Sequence, residues 1–164
     1  MMLLWFYQLR ELDFSALMEI YAQSNRDNGK EKYPSFSEEK QKQLVEDDFA
    51  DYLRESFFSQ MGAKYAVLSD GNQYCSALRL EPYNDGLLIT ALETRPDKRC
   101  MGYGKKLVLL VLQEHDCPIY SHIHKKNLPS LSLHASCGFS KVLDYAQYLD
   151  GTVTTHAATY CFRK

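Results

Sequence analysis

The stretch from Leu87 to Leu112 limits the possible folds of this chain more than any other. It begins with an apolar run, Leu87 to Leu92, and ends with a second one, Leu107 to Leu112; the segment between them is basic and contains one proline and two glycines. Two apolar runs joined by a glycine turn predict a strand, a turn and a helix. Glycine lets backbone N–H groups approach a ligand closely, and the free N–H groups of a helix N-terminus favour anions. The segment therefore predicts an anion-binding turn.

Basic side chains surround this predicted turn. They are Arg95, Lys98, Arg99, Lys105 and Lys106, with Asp97 as the one acidic residue among them. Lys105 and Lys106 fall in the first turn of the predicted helix, where the helix dipole disfavours cations. A bound anion would offset that unfavourable placement. Charge alone leaves a second interpretation open, which is a solvated basic loop.

Composition and charge narrow the class of protein. The chain has 164 residues, of which 45% are hydrophobic and 24% charged, so we expect one soluble globular domain over residues 1–164. A net charge of −2 argues against a nucleic-acid partner. The apolar N-terminus, Met1 to Tyr7, is too short for a membrane span or a signal sequence. The five cysteines are odd in number and never spaced Cys-x-x-Cys, which favours reduced thiols in the cytoplasm.

The hydrophobic pattern predicts a mixed α/β domain with a central sheet. The predicted elements are a strand at 2–10, a helix that begins at Asp13 and ends within 25–29, a loop at 30–36, a helix at 38–60, strands at 63–69, 73–80 and 87–92, a helix through 107–112, a strand at 118–124, a helix at 127–136, and two final strands at 139–149 and 152–162. Ser35 and Ser37 are rival N-caps for the second helix.

Two sequence motifs resemble those of one family. Arg99-Cys-Met-Gly102-Tyr-Gly104 matches the pattern Arg/Gln-x-x-Gly-x-Gly/Ala. Downstream, the segment from Asn127 to Phe139 resembles the pattern Asn-x-x-small-x-x-Leu-Tyr-x-x-x-Gly-Phe. Both patterns are typical of the GNAT superfamily of N-acetyltransferases, and the predicted order of elements is similar to that of the superfamily along the whole chain.

This resemblance implies a fold and a cofactor. The fold is an α/β (α+β) domain with about seven strands and about four helices, in which the fourth and fifth strands splay apart. The cosubstrate is acetyl-CoA, whose pantetheine arm would pair with Leu92, Glu93 and Thr94 and contact Asn127. Its pyrophosphate would lie on the turn formed by Arg99, Cys100, Met101, Gly102, Tyr103, Gly104 and Lys105.

The resemblance also implies the reaction, in which an amine attacks the thioester directly without a covalent enzyme intermediate. His134 stands where the family has a tyrosine that protonates the departing thiolate. Histidine can carry a proton at neutral pH and serve as the general acid. The alternatives are a packing substitution with the donor elsewhere, for example Tyr145 or Tyr148, or a catalytically weak protein.

Glu93 is the carboxylate nearest to the expected thioester, and we expect it to be the general base. Glu81, at the end of the third strand, is the second choice, and both residues also fit ordinary surface carboxylates.

A metal site is not predicted. His122 and His124 share one face of a strand, but no third ligand stands at a recognisable spacing, so we interpret them as ordinary sheet residues. Cys100 lies at a helix N-terminus without an identifiable partner base, and a small residue that fills the turn is the simpler interpretation.

These observations predict a cytoplasmic N-acetyltransferase that moves an acetyl group from acetyl-CoA to a primary amine, either a small molecule or a peptide. The alternative is a catalytically silent acyl-CoA-binding or regulatory module with the same fold. We expect no nucleic-acid or membrane partner, and a monomer or a homodimer. The acidic outer face of the second helix, formed by Glu46, Asp47, Asp51 and Glu55, favours a cationic amine, and an ordinary solvated face is the alternative interpretation. An unrelated dinucleotide binder would need Gly-x-Gly-x-x-Gly, and position 107 is Leu.

Overall fold

A central sheet with helices on both faces forms the body of the molecule. The computed structural model describes residues 1–164. The helices are α1 (Phe14–Ile20), α2 (Ala22–Lys32), α3 (Glu38–Tyr52), α4 (Tyr103–Gln113) and α5 (Leu128–Ser136). The strands are β1 (Met2–Phe6), β2 (Lys64–Ser69), β3 (Tyr74–Tyr83), β4 (Gly86–Thr94), β5 (Ile119–His124), β6 (Ser140–Leu143), β7 (Ala146–Gln147), β8 (Val153–Thr154) and β9 (Ala157–Phe162).

The sheet has seven strands in the order β1-β2-β3-β4-β5-β9-β6, and β7 and β8 form a separate two-stranded ribbon. Only β4 and β5 are parallel neighbours, so the sheet is mixed. Their pairing covers Leu87–Ile89 and stops at Ser121, although β4 continues to Thr94 and β5 to His124. The predicted fold class is confirmed, including the splayed fourth and fifth strands.

Two apolar layers lie on opposite faces of the sheet. On one face, α4 buries Leu107, Val108, Val111 and Leu112 against the strands. On the other, α1 and the segment after α3 bury Leu17, Ile20, Leu53 and Phe57 against Tyr65 and Val67. Alternate side chains of β2 and β3 thus serve different layers, which fixes the register of the sheet.

Gly29 lies inside a helix, and the prediction that the chain leaves the helix there was wrong. The structure breaks at Tyr21, between α1 and α2, and α2 then continues to Lys32. A Cβ on Gly29 would lie 3.2 Å from the Cβ of Gln41 and 3.4 Å from Val45. This glycine therefore allows the close approach of α2 to α3. The loop predicted at 30–36 shortens to residues 33–37, with Ser37 as the N-cap of α3.

The two predicted C-terminal strands are each divided. The chain leaves the main sheet after β6, forms the β7–β8 ribbon, and returns as β9 between β5 and β6. The turn predicted at Asp150-Gly151 is present, and the Asp150 carboxylate accepts a hydrogen bond from the Thr152 N–H at 2.8 Å. Side-chain anchors hold the ribbon region: Tyr83 donates to the Gln147 carbonyl at 2.6 Å, and Thr159 donates to the Tyr145 carbonyl at 2.8 Å.

The apolar N-terminus forms an edge strand. β1 pairs in antiparallel register with β2, from Met2 opposite Ser69 to Phe6 opposite Tyr65. The strand is shorter than predicted, because residues 9–11 form a 3-10 turn. Among the helices, none combines the length and the apolar character that a membrane crossing requires.

Candidate acetyltransferase site

The glycine turn before α4 has the backbone shape that exposes N–H groups. Cys100 and Gly102 have positive φ angles of 60° and 83°, and Gly102 is the N-cap of α4. No side chain caps that helix end, so its first N–H groups remain free for a ligand. Met101 is exposed, whereas Tyr103 is half-buried against the core.

Gly104 brings the turn close to two other parts of the site. A Cβ there would lie 3.1 Å from Oγ1 of Thr94 and 3.2 Å from Cδ1 of Leu133. The end of β4, the start of α4 and helix α5 therefore meet at this position. The turn at Arg99–Lys105 and the strand end at Leu92–Thr94, which were predicted as one site, lie next to each other.

Most of the cations around the turn have no carboxylate partner. Arg95 pairs with Glu19 at 2.5 Å and with Asp97 at 2.8 Å. Arg99 donates from Nε to the Thr94 carbonyl at 3.3 Å, and it forms no ion pair. Lys98, Lys105 and Lys106 also take part in none of the ion pairs. Four positive charges without counter-charges favour a polyanionic ligand at this turn.

A bulge shapes β4 next to the gap between the strands. Ala77 pairs with Glu93, and Arg79 pairs with Thr90. Between these pairs β3 has one residue and β4 has two, Ala91 and Leu92. Ala91 has a positive φ of 49°, and its carbonyl accepts a hydrogen bond from the Tyr21 hydroxyl at 2.7 Å. The bulge turns β4 away from β5, which leaves one edge of β4 unpaired from Thr90 onward.

A cleft of about 850 Å³ opens beside this bulge. It lies between β3, β4 and the helices α2 and α3, with Ala91 and Glu93 on one wall and Tyr21, Phe49 and Tyr52 on another. The predicted acidic outer face contributes no residue to its lining; this face consists of Glu46, Asp47 and Asp51 on α3 and Glu55 just after it. Its carboxylates are Glu31, Asp48 and Glu93, and Asp48 is bonded to Lys32 at 2.7 Å and to Tyr33.

Glu93 lies in this cleft as a half-buried carboxylate. Burial raises the pKa of Glu93, although the nearby Ser24 hydroxyl and the charge of Arg99 oppose the shift. A carboxylate with a raised pKa is a stronger base, which suits proton abstraction from an ammonium group. Glu81 lies farther along β3, where its carboxylate is 3.5 Å from the Tyr52 hydroxyl.

His134 is in the core layer, with 2% of its surface exposed. Its Nδ1 lies 2.8 Å from the Ser130 carbonyl, its ring packs against Phe139, and its Nε2 is buried without a partner. Burial lowers the pKa of His134, so the ring is neutral at pH 7. A carbonyl only accepts, so Nδ1 carries the proton and Nε2 has none to donate. This arrangement supports the packing alternative.

Asn127 is exposed after the end of β5 and caps α5, since its side-chain oxygen accepts a hydrogen bond from the Ser130 N–H at 3.2 Å.

The alternative proton donors, Tyr145 and Tyr148, lie in the β7–β8 region. The Tyr148 ring packs against the His122 ring, with 5.0 Å between the ring centres.

The two histidines of β5 have different surroundings. His122 is half-buried, and its Nδ1 lies 3.0 Å from the Thr159 hydroxyl. His124 is exposed, accepts from the Lys126 N–H at 3.1 Å and stacks on His156. No group of three or more His, Cys, Asp or Glu side chains is placed to hold a metal ion.

Sequence reasoning missed Arg79, which lies on the floor of the cleft, and its buried neighbour Thr90. Arg79 interrupts the apolar run Ala77-Leu78-Arg79-Leu80, and its Nε is buried without a hydrogen-bond partner. Thr90, directly opposite on β4, has a buried hydroxyl that also lacks a partner. A single charge inside a buried strand was the signal that could have revealed this floor.

Comparisons with known proteins identify the family and the fold. The family model for the acetyltransferase (GNAT) family matches residues 16–139. PaiA N-acetyltransferase of Thermoplasma acidophilum, solved with coenzyme A, superposes with a TM-score of 0.59 over 100% of both chains at 15% identity. The ribosomal-protein-S18-alanine N-acetyltransferase of Escherichia coli gives a TM-score of 0.57 at 16% identity, over 98% of this chain and 93% of that one.

A third structure, assigned as a streptothricin acetyltransferase of Bacillus anthracis and holding acetyl coenzyme A, gives a TM-score of 0.50 at 18% identity over 69% and 70% of the two chains. A search of curated protein sequences finds no significant match. At these identities the structures show the fold, and the family model covers most of the chain. The chain belongs to the acetyltransferase (GNAT) family.

Proposed function

We propose that this protein is an N-acetyltransferase that moves an acetyl group from acetyl-CoA to a primary amine. The main support for the proposal is that a place for the cofactor and a place for the acceptor meet at the bulge of β4. The unpaired edge of β4 and the basic glycine turn suit CoA, and the cleft that contains Glu93 suits the acceptor. The five cysteines, which are all free, support a reducing cytoplasmic location.

Separate residues bind the cofactor and take up the proton. N–H groups and unpaired cations at Arg99–Lys105 bind the pyrophosphate, and Leu92–Thr94 with Asn127 hold the pantetheine arm. Glu93 takes a proton from the ammonium form of the acceptor, directly or through water. The free amine then attacks the thioester carbonyl, so a C–N bond forms and the C–S bond breaks. The nitrogen loses its second proton as the C–S bond breaks, and that proton passes through water to the departing sulfur, so CoA leaves as the thiol. Glu93 then releases the first proton to solvent.

Glu93→Gln tests the proposal because it keeps the size of the side chain and removes the base. We expect kcat/KM at pH 7 to fall by about 10²-fold or more. The loss should shrink as pH rises toward the pKa of the amine, since more acceptor is then already deprotonated. Thiol release with a panel of amines is the activity measurement, and calorimetric titration with acetyl-CoA should show unchanged affinity.

Glu81→Gln is the matched control, because Glu81 is a second carboxylate near the cleft that we do not assign to catalysis. If Glu93→Gln stayed within about twofold of wild type, Glu93 would not be the base. Tight acetyl-CoA binding with no thiol release across the whole panel would instead support the alternative, a silent acyl-CoA-binding module.

A further inference from the structure

We propose that the acceptor is a zwitterionic amino compound whose carboxylate binds Arg79 while its ammonium group faces Glu93. This inference rests on the proposed acetyl transfer and narrows its substrate class.

Arg79 is a cation without a counter-charge in the floor of the cleft. It lies on β3 between Leu78 and Leu80, both fully buried, and its side chain lines the cleft. Its Nε is buried and has no hydrogen-bond partner. Arg79 takes part in none of the ion pairs of the molecule. Because the buried Nε has lost contact with water without gaining a protein partner, an anionic ligand group that accepts a hydrogen bond from it would be stabilised.

Aromatic rings hold this guanidinium in position. Its central carbon lies 4.9 Å from the centre of the Tyr52 ring and 5.6 Å from that of Phe57. Stacking orients the planar group but leaves its N–H donors unused. Those donors form a fork that matches the two oxygens of a carboxylate.

Thr90 adds a second unused polar atom beside Arg79. The two residues are direct cross-strand partners, so their side chains share one face of the sheet. The Thr90 hydroxyl is buried and has no partner. Thr90 does not line the cleft itself and forms no hydrogen bond with Arg79, so it leaves the guanidinium available to a ligand.

The remaining charges of the cleft match a zwitterion. Lys32 and Asp48 neutralise each other at 2.7 Å, which leaves Arg79 and Glu93 on the floor and Glu31 exposed at the edge. Glu93 lies opposite Ala77, two residues from Arg79 along β3. Two residues of strand correspond to about 6–7 Å. Because Arg79 and Glu93 both line the cleft and lie that far apart along the backbone, a small molecule that carries both an ammonium group and a carboxylate can reach the two charges at once.

Matched ligand sets test this inference. L-phenylalanine, L-methionine, L-glutamate and L-lysine are each compared with the α-carboxamide and with the amine formed by α-decarboxylation. We expect kcat/KM to be roughly 10- to 100-fold higher for the best amino acid than for its two matched partners, the difference expected for hydrogen bonds to a charged group. Arg79→Gln should abolish that difference, and Arg79→Lys should retain part of it.

Arg54→Gln is the control variant, because Arg54 is exposed, pairs with Asp51 at 2.9 Å and lies outside the cleft. It should keep the wild-type preference. The wild-type comparison alone is decisive if Arg79→Gln fails to fold: equal rates for the three members of each set, or a preference for members without a carboxylate, would overturn the inference and leave acetyl transfer intact.

Binding measurements separate a failure of the proposed acetyl transfer from a failure of the Arg79 site. If no amine releases thiol, calorimetry on the protein saturated with CoA decides the question. Binding that requires the carboxylate and is lost in Arg79→Gln supports the Arg79 site although acetyl transfer fails. If the amino acids do not bind, or bind equally well without the carboxylate, the Arg79 site is rejected.

Discussion

At the scale of single residues, the position of a side chain matters more here than its chemical type. His134 is chemically able to donate a proton, and its place in the family motif suggested that role. In the structure its Nδ1 is bonded to the Ser130 carbonyl and its Nε2 is enclosed. Glu93 shows the opposite case, because an ordinary carboxylate becomes a better base through burial.

His134→Phe separates the two roles of that histidine. If His134 only fills space, a ring of similar size should keep kcat within about twofold of wild type, because general acid catalysis is worth roughly 10²-fold or more. The assay is thiol release at saturating acetyl-CoA with the best acceptor. A loss of kcat of that larger size, with melting temperature and acetyl-CoA affinity unchanged, would restore His134 as the general acid.

At the scale of elements, the strand–turn–helix unit from β4 to α4 was predictable because its signals are local. The glycines set the turn, the apolar runs set the strand and helix, and the two motifs set their order. The bulge at Ala91 was not predictable, because it depends on which residue lies across the sheet. Arg79 is visible in the sequence as a lone charge in an apolar run, but its pairing with Thr90 depends on the cross-strand register. Gly29 was misinterpreted for the same reason, since its role depends on the contact with Gln41.

Gly29→Val tests the packing of α2 against α3. A branched side chain there must displace Gln41 or Val45, because even a Cβ would lie 3.2 Å from the Gln41 Cβ. We expect the free energy of unfolding to fall by about 1–3 kcal/mol, the usual range for overpacking. Urea denaturation measures it, with Lys30→Val as the control, since Lys30 is the next residue of the same helix and is exposed. Equal losses in both variants would contradict the close contact.

At the scale of the whole molecule, three histidines link stability to pH. Burial is the main cause that lowers the pKa values of His115, His122 and His134 below their usual 6.5. The unfolded chain therefore binds more protons than the folded one once pH falls below about 6.5. Their contribution to stability is fully present above that pH and is lost as pH falls toward the lowered folded values. Glu93 acts in the opposite sense, because its pKa is raised in the folded state.

We therefore expect the free energy of unfolding to be lower at pH 5.5 than at pH 7.5, with a steeper slope in wild type than in His134→Leu. The leucine removes the most enclosed of the three histidines and its unpartnered Nε2, so the variant loses one source of proton uptake on unfolding. That source contributes at most about 1.4 kcal/mol per pH unit. Urea denaturation at both pH values gives the two slopes. Identical slopes would mean that His134 is protonated to the same extent in the folded and unfolded chains, and a neutral buried ring would then be the wrong description of this residue.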